Sequence, residues 1–242
     1  MLYLATRRRV ACNMPYTARK ENPVNTKSQE LKDKATADFE AGKKMFHDAL
    51  AKAQVEIDVI TTEIAKLRAE LKTETAEAKV KTMARVNELT KKLDAARKEE
   101  QDKIEARLKK LHKEIESANA EVKHATAEGK AAAEAKAKAV REEYDSARKA
   151  LTASLDAELA EWKARIGAVL DAAAETKAAA KAAVEAKIAD AHAKHEAAQK
   201  KLHALKETGP AAFGELDRGV RAAIGEVKTA VQHARADIAA AL

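Results

Sequence analysis

The chain predicts an all-α, elongated fold: a long helical coiled coil, alternatively folded back as a helical hairpin, with a shorter C-terminal amphipathic helix. Three observations carry this expectation. No proline lies between Pro23 and Pro210, and before Gly209 the only glycines are Gly42, Gly129 and Gly167. The uninterrupted stretch is built mainly from Ala, Lys, Glu, Leu, Arg and Asp, the composition of long helices and coiled coils. Charged residues make up 35% of the chain and aromatics only 3%, with three Phe, three Tyr and one Trp among 242 residues. So few large rings cannot fill a spherical core, whereas helices packed along their lengths suit an alanine-rich chain.

Residues 1–28 read as a flexible basic tail. Pro15, Pro23, Asn22 and Asn25 break any periodic pattern there, and Ser28 marks the helix start. The order of apolar and basic residues in Met1–Val10 is the reverse of a secretory signal. Met14-Pro15 marks an alternative start, with residues 1–13 an upstream extension; a disordered tail and an organellar transit segment are the other readings. Cys12 is the single cysteine, so no intramolecular disulfide is available.

The first long helical arm spans 29–125. Leu50, Ala53, Ile57, Ile60, Ile64, Leu67 and Leu71 alternate spacings of three and four, the seam of a coiled coil. Leu50, Ile57, Ile60, Ile64, Leu67 and Leu71 are expected to form its tightest contact. The stripe resumes at Val86, Leu89, Leu93 and Ala96, then at Ile104, Leu108, Leu111, Ile115, Ala118 and Val122, with stutters between that locally unwind a supercoil. Between Val122 and Val140 no large apolar residue occurs. Gly129 falls in this gap, so a bend or hairpin turn is expected near residues 124–131.

The second arm spans 126–206. Leu151, Leu155, Leu159, Trp162, Ile166, Leu170 and Ala173 follow an eleven-residue repeat. The segment 171–183 is nearly all Ala, Lys, Glu and Thr, and fraying is expected there. From Val184 the heptad returns through Ile188, Ala191, His195, Ala198, Leu202 and Leu205. Thr208-Gly209-Pro210 then closes one helix and opens the next. The C-terminal amphipathic helix, 210–242, places Phe213, Leu216, Val220, Ala223, Val227, Ala230, Ala234 and Ile238 on one face. Gly214, Gly219 and Gly225 lower its intrinsic stability, or allow close helix contact.

The net charge is +7, and residues 1–35 contribute +5 of it; the other 207 residues hold 38 bases and 36 acids. A balanced body of this kind makes nucleic-acid binding unfavoured, since such binders concentrate bases on one face. Acid precedes base by four residues at Glu88/Lys92, Glu99/Lys103, Glu105/Lys109 and Glu161/Arg165 among others. Each pair stabilises a helix by about 0.2–0.5 kcal/mol, and these runs read as solvated faces. His192 and His195 have the spacing of a helical metal pair, but a site needs further convergent ligands, and they read as surface or seam-edge residues. Trp162 reads as a packing residue. No phosphate loop, nucleophile elbow or zinc spacing is present. The expectation is therefore no enzyme, no cofactor, no metal and no small-molecule substrate.

The segment Leu155–Trp162, the run Lys201–Gly209, then Ala212–Leu216, Gly219-Val220 and Ala223 together resemble a family of small bacterial Ala/Lys/Glu-rich coiled-coil proteins, described as stress-response or uncharacterised. The likeness covers about residues 150–240. It implies a bacterial cytoplasmic protein with a stress-linked or scaffolding role. The leading expectation is a structural or interaction protein whose partner is itself, as a hairpin or homo-oligomer, or another helical protein. A coat on a lipid or granule surface is the second, and nucleoid association through the basic tail the third.

Overall fold

The computed structural model describes residues 23–73, 75–174 and 178–241. The described chain is all-α: α1 Pro23–Glu70, α2 Ala76–His124, α3 Ala127–Ala173, α4 Ala178–Glu207 and α5 Pro210–Ala241. It divides into two units. In the first, ending at Met45, the described residues are the opening half of α1; the second is Phe46–Leu242.

The tail assigned to 1–28 lies outside the described residues as far as residue 22. Pro23–Ser28 is helical rather than part of a tail. Proline fits the first helical position because its missing N–H has no partner there and its φ is already helical.

Within Phe46–Leu242 both long arms are cut. α1 stops at Glu70, where Leu71, Lys72 and Thr73 close a turn by donating to Leu67, Ala69 and Glu70 carbonyls. Thr75 precedes α2 in extended backbone (φ −68°, ψ 160°). Ala125 (φ −70°, ψ 137°) and Thr126 (φ −65°, ψ 163°) together make the next break. Gly129 is not the turn residue: it lies inside the first turn of α3, and no described glycine has positive φ. The second arm is cut after α3 ends at Ala173, inside the alanine-rich stretch whose shallow side chains bury too little to hold a helix straight.

Each break reverses the chain. Glu63 of α1 meets Arg85 of α2 at 3.2 Å. Going back along α2, Glu121, Gln101 and Asp94 bond in turn to Lys136, Glu158 and Arg165 of α3. That rising-against-falling register is antiparallel. Arg148 and Leu159 of α3 bond to Lys206 and His195 of α4, and Lys187 of α4 pairs with Asp237 of α5. The unit is an up-and-down stack of helices joined by short connections. α3 packs against α2, α4 and α5.

The core follows. Ile57, Ile60 and Ile64 of α1 cluster with Leu89 and Leu93 of α2. Leu155 of α3, Val184 and Leu205 of α4, and Val220 and Val227 of α5 are sealed from solvent. α5 therefore spends its apolar face inside the bundle, with Ile224 and Val231 forming a second buried row. The small size of Gly214, Gly219 and Gly225 serves no close approach, because a Cβ at any of them would meet nothing within 4 Å. No helix among the described residues is long and apolar enough to cross a membrane.

Candidate functional site

Helix packing places the seam residues unequally. Ile57, Ile60, Ile64, Leu89, Leu93, Ile104, Leu111, Leu151, Leu155, Leu159, Trp162 and Ile166 are buried. Leu50, Leu67, Leu71 and Ile115 are only half-buried. The tightest packing is consequently in α2–α5 and not along Leu50–Leu71, because α1 has neighbours on one side and α3 on several. Leu170 is a correction: it is 47% exposed, and Val169 takes the inward position at 3%. Beyond Ile166 the stripe steps three then four residues to Ala173, so the eleven-residue repeat reverts to a heptad one step early.

The side chains the periodicity passes over are charged. Glu143 of α3 is 1% exposed. One carboxylate oxygen lies 3.3 Å from Nε2 of His47 on α1, the other 3.5 Å from Arg107 of α2. The Arg107 guanidinium stands 5.9 Å from the Phe46 ring centre, and Phe46 meets the His47 ring edge-on.

A second cluster surrounds Arg165 of α3, which is 2% exposed. Its guanidinium lies over the Trp162 ring at 4.1 Å, donates to Asp94 of α2 at 2.9 Å and to Glu161 one turn back. Glu161 also meets Arg97 of α2 at 3.3 Å, and Lys228 of α5 donates to Asp94 at 3.2 Å. Burial works against the charge on Arg165. Hydrogen bonding and attraction from Asp94 and Glu161 outweigh it and hold the guanidinium above its ordinary range.

A third cluster centres on Asp217 of α5, which is 3% exposed. Its two oxygens accept from Nε of Arg221 at 3.1 Å, and Arg221 reaches on to Gln101 of α2. Burial pushes the Asp217 carboxyl above its ordinary range, with Arg221 opposing.

His195, weighed above as a metal-pair residue, is buried, and its Nε2–H donates to the Leu159 carbonyl at 2.9 Å. His192 is exposed. An open groove of about 500 Å³ runs between α1 and α3 over α2, lined by Leu50, Ile57, Ala150, Ala153 and Ala157 with Arg97 and Glu100 at its floor.

The residues missed from sequence share one signal. Arg97, Glu143, Glu161 and Arg165 are each next in sequence to a core-facing residue (Ala96, Tyr144, Trp162 and Ile166). A helix with a single partner leaves such flanking positions wet; a helix with several partners covers them. Arranged this way, the charges tie four helices together and set their register.

No protein-family model matches the chain. No curated protein and no solved structure is significantly similar to it.

Proposed function

We propose that this is a non-enzymatic structural or interaction protein, acting in the cytoplasm, whose working surface is a helix face of α1. The supporting observation is Val55 and Val59, one turn apart and 63% and 61% exposed, on a side of α1 away from Ile57, Ile60 and Ile64. β-branched residues do not favour a solvated helix, and a pair one turn apart forms the start of a seam. Lys52, Glu56, Asp58 and Lys66 are also on the helix, a mixed-sign pattern that complements itself when two copies meet. The occupant is therefore a second copy of this chain. The resemblance to the stress-linked coiled-coil family agrees with a scaffolding role.

Sedimentation velocity over micromolar concentrations tests this. The full chain should associate reversibly, and the double variant Val55→Asp/Val59→Asp should stay monomeric with an unchanged melting curve. A wild type that is monomeric throughout overturns the proposal. The lipid-coat reading needs α5 to release a face it holds against its neighbours; co-sedimentation with liposomes distinguishes it, since the scaffold stays in the supernatant.

A further inference from the structure

The groove between α1 and α3 holds two opposite charges that the fold leaves incompletely answered. Arg97 and Glu100 of α2 form its floor and are 7% and 6% exposed. Residues three apart on a helix are neighbours, and opposite charges there ordinarily pair. Here each turns to another partner. Nη2 of Arg97 meets Glu161 at 3.3 Å, and Glu161 is shared with Arg165. Nη1 of Arg97 is buried with no hydrogen-bond partner among the described residues. Glu100 accepts from the Ser154 hydroxyl at 2.7 Å, and no cation pairs with it among the described residues. A buried donor and a buried carboxylate left in this state oppose folding. The groove's other carboxylate, Asp58, is exposed and accepts from Gln54 at 2.8 Å, so water and an amide already answer it.

The walls above this floor are apolar. Ala150, Ala153 and Ala157 follow at three-four spacing on α3 and share the groove with Leu50 and Ile57 of α1. Side chains as small as methyl groups keep it open, and its volume of about 500 Å³ lies within the range of small-molecule sites. An ammonium alone would answer Glu100 and leave Arg97 as it is. A carboxylate alone would do the reverse, guanidinium being its natural partner. A molecule carrying both charges side by side answers the two together, and an apolar body suits the walls. We propose that the groove binds a free α-amino acid with an apolar side chain, its ammonium on Glu100 and its carboxylate on Arg97. This role goes beyond scaffolding, and Val55 and Val59 do not line the groove.

The test is titration calorimetry of the full chain with L-phenylalanine as the probe. Binding should saturate at one molecule per chain. The same titration with 2-phenylethylamine, which lacks the carboxylate, and with 3-phenylpropanoate, which lacks the ammonium, should be weaker by about tenfold or more. Glu100→Gln keeps an oxygen for Ser154 but loses the charge. It should weaken phenylalanine about tenfold and leave 3-phenylpropanoate unchanged. Ala153 is exposed, so Ala153→Leu should fill the groove without lowering Tm, and it should abolish binding. The Val55→Asp/Val59→Asp variant should bind phenylalanine as wild type does, which separates this site from self-association. Absence of saturable binding overturns the proposal. So does equal affinity for either one-charge analogue, which would mark a site for a simple amine or a simple acid, or unchanged affinity in Ala153→Leu.

Discussion

At the scale of single residues, the buried carboxylates carry the sharpest consequences. Glu143 compensates Arg107, which is itself 8% exposed. Removing one member of a buried pair strands the other, which costs about 3–5 kcal/mol. Glu143→Ala should therefore lower stability in urea by about that amount, and pairing Glu143→Leu with Arg107→Met should restore most of it. Asp217 works in the opposite sense. Its folded carboxyl titrates above its ordinary 3.8, so the unfolded chain releases the proton first as pH rises. Stability is full below that ordinary value and is lost as pH rises through the raised folded one. Asp217→Asn should consequently melt higher than wild type at pH 7, and the difference should vanish near pH 3. Arg221 stays compensated in that variant, because Gln101, Asp102 and Glu105 remain beside it.

At the scale of elements, backbone conformation and stripe register can be tested separately. Thr126 has φ −65° and makes no side-chain cap bond, and Ala125 before it is extended. Both conformations suit a proline at 126. Thr126→Pro should stabilise by about 0.4–1 kcal/mol through the unfolded chain. Gly225 sits in exposed helix with open space around its missing Cβ, so Gly225→Ala should add up to about 1 kcal/mol. Calorimetry measures both. The register of α3 is decided by two neighbours: Val169→Asp should destabilise severely, since it buries an unpaired charge, while Leu170→Asp should lie within about 0.5 kcal/mol of wild type. Equal effects at 169 and 170 would show the stripe misplaced. Sequence spacing alone could not decide this point. Val169 and Leu170 are both apolar, and only the neighbours of α3 select between them.

At the scale of the whole molecule, the unit Phe46–Leu242 owes its unity to α3, which touches α2, α4 and α5. Leu155 lies at its centre and is fully buried. Leu155→Ala should cost about 2–5 kcal/mol. It should shift the loss of helix by circular dichroism and the emission of Trp162, the single tryptophan, by the same amount in one transition. Two separated transitions would mean that the helices melt independently, as unshared hairpins do.

Much of this was readable without coordinates. The absence of proline, the alanine-rich composition and the three-four spacing by themselves determine an all-α chain, and the heptad from Val184 to Leu205 names side chains that are all buried. The chain by itself does not determine how many helices share a core. That depends on the breaks between Glu70 and Ala76, at Ala125 and Thr126, and after Ala173, where helix propensities differ between residues by only about a few tenths of a kcal/mol. Nor does local pattern reveal Glu143, Arg165 or Asp217 as buried. Periodicity treats a charge as a wet face, and only the arrival of a third and fourth helix removes the water around it.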